Sequence, residues 1–216
     1  MDVGDARSGI SEWSVVGDEG ELRAIVGSPT ARAAEKSRPS LHHLDRQWLA
    51  ASPLCLLATA AADGTCDVSP KGDPAGFTYV LDDRTIAIPD RPGNRRVDGF
   101  VNILENPHVG LIFLVPGRSD TLRINGRAEL VSEAPFFDAM IVRGHRPRLA
   151  LVVQIEELFY HCSKAFLRSH LWESSAWAPE AVPSRAVISQ TLERPDASID
   201  ELIAYYGSSY AEKLYS

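Results

Sequence analysis

With 216 residues, 44% apolar and 24% charged, the chain has enough apolar material for a real core and the balance of an ordinary globular protein. Its net charge of -7 leaves no broad basic surface of the kind that nucleic-acid phosphates require. Cys55, Cys66 and Cys162 are odd in number, widely spaced and without a C-x-x-C pair, so they read as reduced thiols of a cytoplasmic protein rather than a disulfide framework.

No apolar run reaches transmembrane length, and the acidic start Met1-Asp-Val-Gly-Asp has no apolar segment, so neither a membrane span nor a signal peptide is expected. Residues 1–20 are rich in Gly, Ser, Asp and Glu and read as a mobile extension. One or two helical turns follow over residues 21–26, ended by Gly27 and Pro29. Leu41, Leu44, Trp48 and Leu49 recur at helical spacing, which predicts an amphipathic helix over 40–51 with Ser40 as its cap. Domain boundaries are expected near residues 39 and 175. They separate an N-terminal extension (1–39), a central domain (40–175) and a linker with a C-terminal helix (176–216).

From residue 54 the texture changes. Residues 54–60 form an apolar run of strand length, Asp63-Gly64 is a hairpin signal, and 65–69 reads as the returning strand. Residues 70–76 read as a loop on composition. Two short runs, 77–81 and 85–89, form a second hairpin around Asp82-Asp83. A helix is expected over about 95–104, stopped by Asn106-Pro107. Residues 109–115 read as a buried strand. In 121–130, Leu122, Ile124, Gly126, Ala128 and Leu130 alternate with polar residues, which is the pattern of a half-buried strand. A helix over 135–142, a strand over 149–155 that runs on towards 159, and a helical or irregular stretch over 162–171 follow. Ser198 caps a helix expected over 198–214. About six strands joined by short loops make a mainly β fold with flanking helices, closed or partly closed as a barrel.

The stretch 90–102 carries Arg91, Arg95 and Arg96 within six positions. A strand, a Gly-containing turn, basic side chains and a helix start can together hold a phosphate. On local sequence alone, an exposed basic turn is an equal reading. No phosphate-binding loop, dinucleotide fingerprint, nucleophile elbow or zinc-protease motif is present, and the six histidines are scattered. No metal site and no catalytic residue is singled out. That pattern fits a protein whose cofactor carries the chemistry.

Several segments, in one order, resemble the pyridoxamine 5′-phosphate oxidase-like family of FMN-binding split barrels, in its subgroup of FMN-dependent enzymes. They are residues 56–73, with the D-G turn and Ser-Pro-Lys-Gly-Asp, and 82–102, with Gly-Asn-Arg-Arg. Residues 106–111, 121–127 and 164–172 complete the match. The resemblance implies a six-stranded antiparallel split β-barrel and a homodimer with FMN at its interface. It implies that Arg95 and Arg96, helped by Asn94, hold the flavin phosphate. Ser69, Pro70, Lys71 and Gly72 would lie against the ring, and Ile88 and Pro89 would flank the ring or ribityl chain. Lys164, Arg168, Ser169 and Trp172 would approach from the partner subunit. The expected activity is oxidation or reduction of a small organic molecule. The alternatives are a deazaflavin-dependent reductase, with Arg118, Arg123, Arg143, Arg146 and Arg148 as added basic surface, and a non-catalytic flavin or haem binder. The chain lacks the arginine-rich C-terminal segment that binds substrate in authentic pyridoxamine phosphate oxidases, which leaves the substrate open.

Overall fold

The computed structural model describes residues 13–215, so the expectation for residues 1–12 lies outside the described residues. Two compact units emerge, one ending at Lys36 and the other beginning at Ser37. In the first, α1 (Glu19–Val26) and α2 (Ala31–Ala34) are capped by Asp18 and Thr30 and bury no residue. The second unit opens with α3 (His43–Ala51). His42, not Ser40, caps it. Asp45 completes the cap by accepting the His42 backbone N–H at 2.7 Å, and a fork from Arg38 at 2.7 and 2.9 Å holds that carboxylate. These bonds keep the Asp45 carboxyl below its ordinary value despite its burial.

Seven strands follow: β1 (Leu54–Ala60), β2 (Cys66–Gly72), β3 (Tyr79–Val80), β4 (Thr85–Pro89), β5 (His108–Leu114), β6 (Thr121–Val131) and β7 (Ala150–His161). They pair antiparallel in one sheet of order β2-β1-β5-β6-β7-β4-β3. The expected count of six falls short by one, and the two-residue β3 is an edge strand paired only with β4. β2 runs on past Ser69 through Pro70, Lys71 and Gly72, where composition predicted a loop. Proline and glycine are tolerated there because β2 is the other edge strand, so the missing Pro70 N–H costs no ladder bond.

α4 (Asp98–Glu105) lies between β4 and β5. The main core gathers the inner residues of β1, β4, β5, β6 and β7 with Trp48, Leu49, Phe100 and Ile103. Each fully buried Leu, Ile or Phe there contributes about 1.5–3 kcal/mol. A smaller cluster on the other face packs Ala87 and Ala150 under Phe137 and Met140 of the 3-10 turn Pro135–Met140, a stretch whose spacing predicted an α-helix.

The alternation predicted for 121–130 is present, with a register shift between Asn125 and Gly126. A Cβ on Gly126 would lie 2.0 Å from the Gln154 carbonyl oxygen. Gly126→Ala is therefore expected to cost about 1–3 kcal/mol by overpacking. Urea unfolding checks this, and an unchanged midpoint would show that the bulge can open without loss.

β7 leads to α5 (Lys164–Ser169), then α6 (Arg185–Leu192) and α7 (Ile199–Tyr205). Ser198 caps α7 as expected, but the helix ends at Tyr205 and a 3-10 turn (Ser208–Lys213) replaces its second half. α6 was not foreseen. All three cysteines are unpaired, and burial pushes the Cys55 thiol up to about 12. Among the described residues no helix is long and apolar enough to cross a membrane, and no group of His, Cys, Asp and Glu could hold a metal ion.

Candidate functional site

β2 and β4 stand apart in the strand order, and no ladder joins them. Their ends are nevertheless brought together by side chains. Lys71 Nζ lies 3.5 Å from the Asp90 carboxylate, and Arg91 Nε donates to Asp73 at 2.6 Å. The sheet thus curls until the end of β2 faces the loop after β4, leaving a seam held by two ion pairs. A cavity of about 620 Å³ opens there, walled by β2, the loop from Pro89 to Val97 and the first turn of α4. That volume lies within the range of about 300–1,000 Å³ usual for small-molecule sites.

Local chemistry fixes each wall. Asn102, buried on α4, donates its amide to Thr59 Oγ1 at 3.1 Å and to Asp67 at 2.8 Å, which ties the start of α4 to β1 and β2. No side chain caps α4, so the Asp98 and Gly99 N–H groups that open its first turn are free for an anion, while the Phe100 N–H bonds the Val97 carbonyl at 2.8 Å. In the loop, Asn94 Oδ1 accepts the Arg96 backbone N–H at 2.9 Å, and Arg95 takes a left-handed conformation with φ of 61°. A non-glycine residue there costs of order 1–3 kcal/mol and persists only where its surroundings hold it.

The lining cations are not equivalent. Arg95 is exposed and, among the described residues, forms no ion pair. Arg96 is exposed and paired with Asp98, which holds its guanidinium above its ordinary value. Lys71 sits between the Asp90 carboxylate and the Phe100 ring, 4.3 Å from its centroid. Arg91 is committed elsewhere. Besides the Asp73 pair it donates to the Met140 carbonyl at 2.7 Å and the His145 carbonyl at 3.2 Å. It is a structural cation, although the basic run of the sequence groups it with the anion binders.

Of the residues expected at the cofactor, Ser69, Pro70, Lys71, Gly72, Pro89, Asn94, Arg95 and Arg96 all line this groove. Ile88 does not. Alternation along β4 turns its side chain into the main core, where it is 1% exposed. Lys164, Arg168, Ser169 and Trp172 are also absent from the lining. Trp172 donates its indole N–H to the Arg118 carbonyl at 2.7 Å and stacks on Phe166. None of Arg118, Arg123, Arg143, Arg146 and Arg148 lines the groove, nor does any histidine. Asn102, Asp73 and Tyr215 were not singled out from sequence. Asn102 had a readable signal, a lone polar residue on the apolar face of a predicted helix. Asp73 and Tyr215 had none, because they meet across 142 residues.

A family model described as pyridoxamine 5′-phosphate oxidase matches residues 41–162, more than half of the chain. No curated protein matches it. Solved structures similar to it include HupZ of Group A Streptococcus, at 22% identity over 56% of this chain and 93% of that one with a TM-score of 0.45. An FMN-binding protein of Syntrophomonas wolfei is 14% identical over 56% and 90% with a TM-score of 0.40. A Clostridium acetobutylicum protein related to general stress protein 26 is 14% identical over 55% and 86%, also with a TM-score of 0.40. On the family match and the antiparallel sheet that carries it, the chain belongs to the pyridoxamine 5′-phosphate oxidase family.

Proposed function

We propose that the seam groove binds FMN and that the protein is a flavin-dependent oxidoreductase acting on a small organic substrate. The observation that carries this reading is the convergence in one cavity of eight residues expected at the cofactor from the family resemblance. The donor set fits the group. Arg95, Arg96 and the open N–H groups of α4 suit a phosphate that carries close to two negative charges. As an edge strand, β2 has backbone groups without ladder partners, which suit the polar edge of a flavin ring. When bound, FMN supplies a ring that accepts and returns electrons. Lys71 Nζ then holds positive charge beside that ring's edge, and the Phe100 ring and the Asp90 carboxylate keep the ammonium in place.

The functional unit in this reading is a homodimer. Lys164, Arg168, Ser169 and Trp172 of one subunit complete the groove of the other. The outward face of the sheet supports an apolar interface. Leu56 of β1 is in register with Pro70 and Ile112, Ala58 with Val68 and Gly110, and Leu54 with Leu114. Val68 is 67% exposed. An apolar patch that spans three strands is characteristic of a contact surface.

The test is a near-ultraviolet and visible absorbance spectrum of purified protein, repeated after FMN is added and the excess removed. About one flavin retained per chain is expected, with sedimentation as a dimer. Colourless protein after that treatment removes the FMN assignment, and a monomer that holds FMN tightly removes the shared interface.

A further inference from the structure

Tyr215 sits in a built socket. Its hydroxyl donates to Asp73, whose side chain is only 2% exposed. Its ring stacks on the His145 imidazole, with centroids 5.5 Å apart and planes 22° from parallel. The Arg91 and Arg143 guanidinium carbons each lie 5.7 Å from the ring centroid. Cations over an aromatic face are attracted by its quadrupole. The hydrogen bond to Asp73 keeps the phenol above its ordinary value, so the oxygen keeps its proton and donates.

The socket residues come from three segments remote from Tyr215: Asp73 after β2, Arg91 after β4, and Arg143 with His145 from one tight turn. Arg143 and Gly144 in that turn are left-handed, with φ of 50° and 78°. Val142 and His145 bridge across it. Asp73 uses Oδ2 for Arg91 and keeps Oδ1 for the hydroxyl. Arg91 also lines the groove, so the socket adjoins the cavity.

We propose that this socket is a phenol-recognition subsite at the end of the groove, and that Tyr215 occupies it in cis in competition with a phenolic ligand. Asp73 reads the hydroxyl, while His145, Arg91 and Arg143 read the ring. None of these four is among the residues assigned to FMN, so the subsite stands whether or not the groove takes that cofactor. A tethered side chain competes at a high effective concentration, and an external ligand sees only the fraction of chains whose socket is open.

The experiment titrates p-cresol, the side chain of tyrosine as a free molecule, into native protein and Tyr215→Ala by calorimetry, with toluene as the ring without a hydroxyl. Tyr215→Ala should bind p-cresol at least about tenfold more tightly than the native chain does, and toluene should bind more weakly than p-cresol. The proposal is overturned if folded Tyr215→Ala shows no saturable p-cresol binding. Equal binding of toluene, or equal binding of p-cresol by the native chain, also overturns it. If Tyr215→Ala melts early, p-cresol must raise its melting temperature while leaving Tyr215→Phe, whose ring still fills the socket, unmoved. A rise in neither variant, or in both, overturns the proposal as well.

Discussion

Arg91→Ala is expected to destabilise the fold by about 3–5 kcal/mol, the usual cost of removing one partner of a buried ion pair. The side chains of Arg91 and Asp73 are 12% and 2% exposed. Truncation leaves the Asp73 carboxylate, among the described residues, with only the Tyr215 hydroxyl and removes the donors from the Met140 and His145 carbonyls. It also cuts one of the two ion pairs that hold the end of β2 to the loop after β4. Arg91→Lys should recover little of the loss, because an ammonium on a flexible stem cannot meet three acceptors in the plane that a guanidinium fork reaches. Urea midpoints for both variants check this. A loss under about 1 kcal/mol for Arg91→Ala would mean that the seam is held by backbone packing instead.

Where local pattern decides structure, the sequence was readable. β6 alternates from Leu122 to Glu129 because one face is buried, and that periodicity is written residue by residue. α7 announces its start through Ser198. Local rules failed where position in the sheet overrides composition. Pro70 and Gly72 look like loop residues, yet an edge strand accepts them. Arg91 shows a different failure. Its neighbours Arg95 and Arg96 make it look like one of three anion binders, but its partner lies 18 residues back on the far side of a seam that exists only in the fold. The socket around Tyr215 is less legible still, since its four residues converge from three separate segments. The groove emerged because the family resemblance follows the chain order of its walls. Lys164, Arg168, Ser169 and Trp172 show the limit of one chain, because their assigned role needs a second copy.

The double replacement Arg95→Ala with Arg96→Ala is expected to weaken FMN binding by more than about tenfold while leaving the fold intact. A hydrogen bond to a charged group contributes about 1.5–3 kcal/mol, and about 1.4 kcal/mol is tenfold in affinity. The two arginines should not share the loss equally. Arg95 forms no ion pair among the described residues and can turn to a phosphate without giving up a contact. Arg96 must first exchange Asp98 for the ligand, so Arg96→Ala alone should cost less than Arg95→Ala alone. Both side chains are exposed, so urea midpoints should stay within about 0.5 kcal/mol of the native value. Riboflavin, which lacks the phosphate, separates charge recognition from ring recognition: its affinity should be unchanged by the double replacement. Added salt should weaken FMN binding to the native protein more than to the double variant, because screening acts on the charges removed. Fluorescence quenching of FMN and of riboflavin measures all of these. If the double variant keeps native FMN affinity, the phosphate does not sit at the start of α4, and the groove must hold its ligand in another orientation.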